Sequence, residues 1–278
     1  MKRAFLWFPM LVAFIGVQST YLLADDTPDG WVSFPISDDA LNCGNYSKRE
    51  WEVKLDDGQL KVVSPSNKNQ PLLPFTIAAD SKMESGLKGE RRVEKVENGW
   101  LVGFNAGEWG GALWWFSEDG KIRKKLTDEN VVGLAKTSTR ILALTGLAHL
   151  GMDHGKVFDV TQDKTGKWKA DVLVNLGAAP QTFIVESPES VLVITTKSLV
   201  RVKTEGSAEQ LYQHRYLFLY PNSMTLSKSG IIHIGMRHFV TRLTPTQAGY
   251  KEDWFVPKDC RQFELREYDC ICLGTTTS

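Results

Sequence analysis

The sequence has no excess of either charge: 33 Lys and Arg are matched by 33 Asp and Glu over 278 residues, a formal net charge of +0. No basic stripe interrupts that balance. A phosphate backbone would find no cluster of cations to neutralise it, so nucleic acid is excluded as an expected partner. The familiar catalytic signatures are missing as well. There is no phosphate-cradling P-loop, no G-x-S-x-G elbow, no H-E-x-x-H pair and no EF-hand loop. The glycines around residue 107 lack the strand-to-helix setting of a dinucleotide fingerprint, and no two carboxylates pair convincingly for acid–base work. No cofactor is expected.

Cysteine is sparse, with four residues in all. Lys2 and Arg3 followed by the almost wholly apolar run Ala4 to Ala24, then Asp25-Asp26, read as a secretory signal peptide over residues 1–24. Ala24 is a good small residue before the cut and Leu22 a poor one, and a cut after Ser19 is an alternative. An uncleaved anchor is the other reading, since about 20 apolar residues span a bilayer; only in that case would a membrane be a partner. Cleavage removes Lys2 and Arg3 and no acidic residue, which leaves a net charge of about −2. The expected location is periplasmic or secreted. In that setting an even number of cysteines implies disulfides, in one of three connectivities for Cys43, Cys260, Cys270 and Cys272. Three of the four lie within the last 19 residues, so a bond from Cys43 to any of them ties the two ends together. A Cys270–Cys272 bond would be strained, which favours a distant partner for each.

What the sequence does have is a recurring strand pattern, and Val93 to Leu126 carries it most fully. Trp100, Val102 and Phe104 alternate with Leu101, Gly103 and Asn105, which predicts a strand with one better-buried face. Gly107, Gly110 and Gly111 break the run as a loop, Leu113 to Phe116 resumes it, and Asp119-Gly120 supplies a tight turn into an outer strand. Upstream, Trp51 to Leu55 and Leu60 to Val63 flank Asp57-Gly58 as a hairpin. Downstream, PQTFIVESPESVLVITTKSLVRV from Pro180 and PNSMTLSKSGIIHIGMRHFVTRL from Pro221 keep their strands in register within a residue. With Trp100, Ile141, Val191 and Ile231 as equivalent starts, the intervals are 41, 50 and 40 residues. Radial β repeats show this kind of period, with several strands to a unit.

On these residues the chain resembles the β-propellers, of the kind with divergent NHL-, YncE- or WD40-like blades. It carries no Trp-Asp blade signature or other family motif. The expected class is all-β, with propeller-like repeats of antiparallel meanders in about five blades or a partial propeller. The repeat units fall near 93–130, 131–176, 177–218 and 219–257, within a single domain over 25–278 that ends in a cysteine-containing tail over 258–278. An irregular β-sandwich or partial barrel is the alternative. The resemblance implies that the first and last segments complete one shared blade, an arrangement a Cys43 bond to the C-terminal cysteines would suit.

Candidate site residues are few. Glu108 and Trp109, in the glycine-rich loop beside Trp114 and Trp115, form a ligand-stacking surface if they face outward. His233 should point away from Ile232 and Ile234, into a channel or into solvent, and His238 follows in the same hairpin. His149, Asp153 and His154 are the densest run of metal-ligand types, but a surface turn explains them more simply than a zinc site, and no metal is expected. The reading is an exported binding or interaction scaffold with a protein, peptide or glycan ligand. A hydrolase or lyase with histidines converging at the channel is the alternative, and an inhibitor-like binder a third.

Overall fold

The computed structural model describes residues 27–65, 70–77, 86–216 and 218–260, and the backbone of 262–266 and 269–273. The apolar N-terminal stretch over 1–24 lies outside the described residues. The chain runs through β1 (Trp31–Ser33), α1 (Asp38–Tyr46) and the hairpin β2 (Glu52–Asp56) and β3 (Gln59–Val63). A first meander follows in β4 (Glu90–Val96), β5 (Gly99–Asn105), β6 (Gly111–Phe116) and β7 (Arg123–Thr127). The second comprises β8 (Val131–Lys136), β9 (Ile141–His149), β10 (Met152–Gln162) and β11 (Trp168–Asn175). The third is β12 (Pro180–Ser187), β13 (Ser190–Thr195), β14 (Ser198–Lys203) and β15 (Ala208–Gln213). The fourth is β16 (Ser223–Leu226), β17 (Ile232–Gly235), β18 (Val240–Thr246) and β19 (Gly249–Pro257), and a last hairpin pairs β20 (Gln262–Arg266) with β21 (Asp269–Leu273).

Each meander is its own antiparallel sheet with strands in sequence order, and β1 adds a fifth strand to the outer edge of the fourth, beside β19. The architecture is all-β and β-propeller-like. First strands face the next blade: β8 packs on β12, β12 on β16, and β16 on β2, while β4 and β5 pack on β8. Because blades press on both sides of a sheet, β5 does not have the single buried face its alternation predicts. Leu101 and Val102 are both 0% exposed. Leu101 joins Val131, Phe158 and Trp168 toward the second blade. Val102 and Phe104 turn the other way, where Leu73, Phe75 and Ile77 cover them. Among the described residues, that side of the first blade is covered by irregular chain rather than by a further strand.

Close approach between blades rests on missing side chains. A Cβ on Gly133 of β8 would lie 2.0 Å from the Phe183 ring of the third blade, and one on Gly103 of β5 would lie 2.3 Å from Val131. β13 is buried along its whole length, which accounts for the unbroken apolar run Val191 to Ile194. The segment around Cys43 folds as α1, capped by Ser37, whose hydroxyl accepts from the Ala40 amide at 3.2 Å. Cys43 and Cys260 are buried, and no described cysteine is a free thiol. The side chains of Cys270 and Cys272, on β21, lie outside the described residues.

Candidate functional site

In an antiparallel meander the turn between the second and third strands and the link to the next meander emerge on the same end of the sheet. Four such ends gather here on one face. They carry the 3-10 turn Gly107–Trp109, the β9–β10 turn, Thr196-Lys197, the 214–222 link and the β17–β18 turn. A cavity of about 500 Å³ opens at their centre. It takes Glu50 from the lead into the hairpin, Glu90, Arg92 and Asn105 from the first blade, Leu147 and Ala148 from the second, Gln181 from the third, and Tyr220, Asn222 and Arg237 around the fourth. A second pocket of about 370 Å³ adjoins it, sharing Ala148, Gln181 and Tyr220. Its walls are Leu150 and Met152 from the β9–β10 turn and Phe218 and Tyr220 from the 214–222 link, with His149, Asp153 and Thr196 among its polar lining.

The rim charges are paired. Glu108 meets His149 at 2.7 Å, joining the Trp109 loop to the end of β9. Lys197 meets Asp153 at 2.9 Å, Arg92 meets Glu90 at 2.8 Å, and Arg237 lies 3.8 Å from Glu50. Asp153 also accepts from the Ala179 amide at 2.8 Å and from the Thr196 hydroxyl at 2.9 Å. Burial, the largest single influence on its carboxyl, pushes the pKa up; the Ala179 amide, Lys197 and Thr196 together outweigh it and hold the group below its ordinary value. The Arg237 guanidinium sits 4.4 Å over the Tyr220 ring, a cation–π contact that fixes both side chains at the mouth.

Exposed apolar side chains concentrate here. Trp109 is 81% exposed, Leu150 89%, Phe218 56%, Tyr220 50% and Met152 49%. Leu150, Phe218 and Tyr220 have φ of 45°, 70° and 50°, the left-handed region that costs a side chain about 1–2 kcal/mol. None of the three recovers that cost by burial in the core.

The sequence candidates divide. Glu108 and Trp109 stand at the rim, and the structure brings Glu108 together with His149, which the spacing had grouped with Asp153 and His154. His154 pairs with Leu147 across the β9–β10 ladder and is exposed. Among the described residues no group of three or more His, Cys, Asp or Glu is placed to hold a metal ion. His233 and His238 are 3% and 1% exposed and are absent from both cavity linings. His233 therefore points neither into a channel nor into solvent: β17 is buried on both faces. His238 lies 2.8 Å through Nδ1 from the Ser47 hydroxyl. The four histidines that an acid–base constellation would need are split between the second and fourth blades. Phe218 and Tyr220 escaped the sequence reading, because a Leu-Phe-Leu-Tyr run reads as a strand rather than as a link that turns its aromatics outward.

No family model and no curated protein matches the chain. Among solved structures it is similar to virginiamycin B lyase from Staphylococcus aureus, at 17% identity and a TM-score of 0.41, covering 59% of this chain and 55% of that one. A streptogramin B lyase is similar at 12% identity and a TM-score of 0.37, over 89% and 88% of the two chains. A glucose dehydrogenase is similar at 12% identity and a TM-score of 0.36, over 55% and 59%. The chain thus spans little more than half the length of the first and last of these, and the likeness concerns the propeller-like fold alone.

Proposed function

We propose that this is an exported binding scaffold that holds its ligand at the mouth of the central cavity. One observation carries the reading: a cavity lined from every blade adjoins a pocket walled by Leu150, Met152, Phe218 and Tyr220, apolar side chains held in water beside paired charges, with Trp109 exposed on the neighbouring loop. Exposed clusters of this kind mark interaction surfaces. Export agrees with the N-terminal apolar stretch. It also agrees with cysteines bonded as disulfides, Cys43 and Cys260 finding their partners in the C-terminal hairpin, since α1 and the 3-10 turn Lys258–Cys260 both pack against β21.

The test places a photoreactive amino acid at Trp109 in the mature protein, with the same group at Val172 as control. Val172 is 57% exposed on the outer strand of the second blade. Irradiation in cells should yield a ligand adduct from position 109 and none from 172. Equal labelling at both, or none at either, overturns the reading.

A hydrolase or lyase keeps one observation in its favour, the Glu108–His149 pair, which holds an imidazole by a carboxylate at the edge of a pocket. Of the hydroxyls that share the pocket, two are committed elsewhere, Thr196 donating to Asp153 and Tyr216 to Glu252. On this second reading His149→Ala abolishes turnover of a substrate that still binds; on the scaffold reading it changes affinity only.

A further inference from the structure

We infer that the pocket beside the mouth receives one bulky apolar side chain of an extended, uncharged peptide segment whose backbone crosses the central cavity. This rests on the binding reading and gives it a ligand class. Three features of the site lead to it.

The walls come first. Leu150, Met152, Phe218 and Tyr220 form the apolar side of a pocket of about 370 Å³, within the range of roughly 300–1,000 Å³ typical of ligand pockets. Leucine and methionine present neither a hydrogen-bonding group nor a planar face. Of the polar groups in the lining, His149 is bonded to Glu108 and Thr196 to Asp153, so the surface left uncommitted is mainly the apolar wall, which suits an aliphatic or aromatic side chain better than a ring of hydroxyls.

The backbone comes second. Leu150, Phe218 and Tyr220 all occupy the left-handed region that glycine adopts freely, and all are at least half exposed. Apolar side chains in strained backbone, gathered round one pocket and unrewarded by the core, gain their return when a partner covers them.

Charge comes third. Each carboxylate lining the two cavities already has a cation: Asp153 has Lys197, Glu90 has Arg92 and Glu50 has Arg237, while Glu108 at the rim is bonded to the His149 ring. A charged ligand would have to displace a pair. A neutral backbone does not, and Gln181, which borders both cavities, and Asn222 offer amide groups along its path.

The experiment is selection of a displayed random dodecapeptide library on the immobilised mature protein. It is followed by affinity measurement of the enriched peptides on wild type, Leu150→Gly, Phe218→Gly and Trp109→Ala, with a glycan array in parallel. Enriched peptides should share one large apolar residue among uncharged neighbours. Both glycine variants should weaken them at least tenfold while leaving the thermal midpoint unchanged or higher, because glycine relieves the left-handed backbone; loss of folding therefore cannot mimic loss of the pocket. Peptides that depend on Trp109 and ignore both glycine variants would overturn the pocket and leave the mouth as the binding site. Glycan binding with no peptide enrichment would overturn the ligand class. Absence of binding in both formats would overturn this inference and the binding reading together.

Discussion

His214 is a histidine that the fold keeps neutral. Its ring stacks on Tyr216 at 3.9 Å between centroids and 10° between planes, and its Nδ1 accepts the Tyr216 amide at 3.2 Å, which leaves the proton on Nε2. Burial is the main influence on it and pushes the pKa from 6.5 down to about 4. The unfolded chain binds a proton at this residue between those two values and the folded one does not. Its contribution to stability is therefore complete above pH 6.5 and is lost as the pH falls toward 4, up to about 3 kcal/mol in all. The carboxylates held below their ordinary values, such as Glu186 beside Arg201 and Asp253, where Lys251 and Arg242 outweigh burial, weaken the fold in more acid solution, below this window. Urea midpoints at pH 7.5, 6.0 and 4.8 should fall steadily in wild type, and His214→Gln should flatten most of that slope. An unchanged slope would place the acid sensitivity elsewhere.

Between elements, Asp153 shows how a strand reaches beyond its own sheet. It stands on β10 of the second blade, yet its acceptors serve Ala179, Thr196 and Lys197 of the third. Hydrogen bonds to a charged group are each worth about 1.5–3 kcal/mol, and an exposed ammonium partner adds little. Asp153→Ala should lower stability by about 2 kcal/mol in a denaturant titration. Asp153→Asn, which keeps an acceptor for the Ala179 amide, should lose about half as much. Equal losses would show that charge alone matters. Sequence spacing put Asp153 with His149 and His154 because all three lie within six positions; that its partners lie 26 and 43 residues further on is a property of blade packing, which no local period carries. α1 was missed for the opposite reason. Ser37-Asp38-Asp39 is a helix start by chemistry, with a capping hydroxyl and two acids in the first turn, but nine residues with little apolar periodicity pass for a polar loop.

Across the whole molecule, what could be read in advance was the repeat. Trp100, Ile141 and Val191 fall at the start of β5, β9 and β13, and Ile231 immediately precedes β17, because the second strand is deeply buried in each blade and so strongly apolar, a place β6 shares in the first blade. Closure was implied only by resemblance. β1 pairs Trp31 with Pro257 and Ser33 with Phe255, so one short N-terminal strand finishes the sheet that holds β16 to β19. Trp31 is 9% exposed and meets Trp51 edge-on at 5.0 Å, and Trp51 in turn donates its ring N–H to the His238 carbonyl at 3.1 Å. These two rings, with Val53, Val240 and Phe255, are the apolar seam between the fourth blade and the β2–β3 hairpin. A two-stranded hairpin is marginal alone, so its order should depend on that seam. Trp31→Ala should cost about 3–5 kcal/mol, as tryptophan truncations in a core do. Amide exchange should accelerate at Val53 and Val62 of the hairpin as well as at Phe255, although Trp31 pairs with neither hairpin strand. Acceleration confined to β1 and β19 would mean that the hairpin is held from its other side, by its packing on β16 and β17.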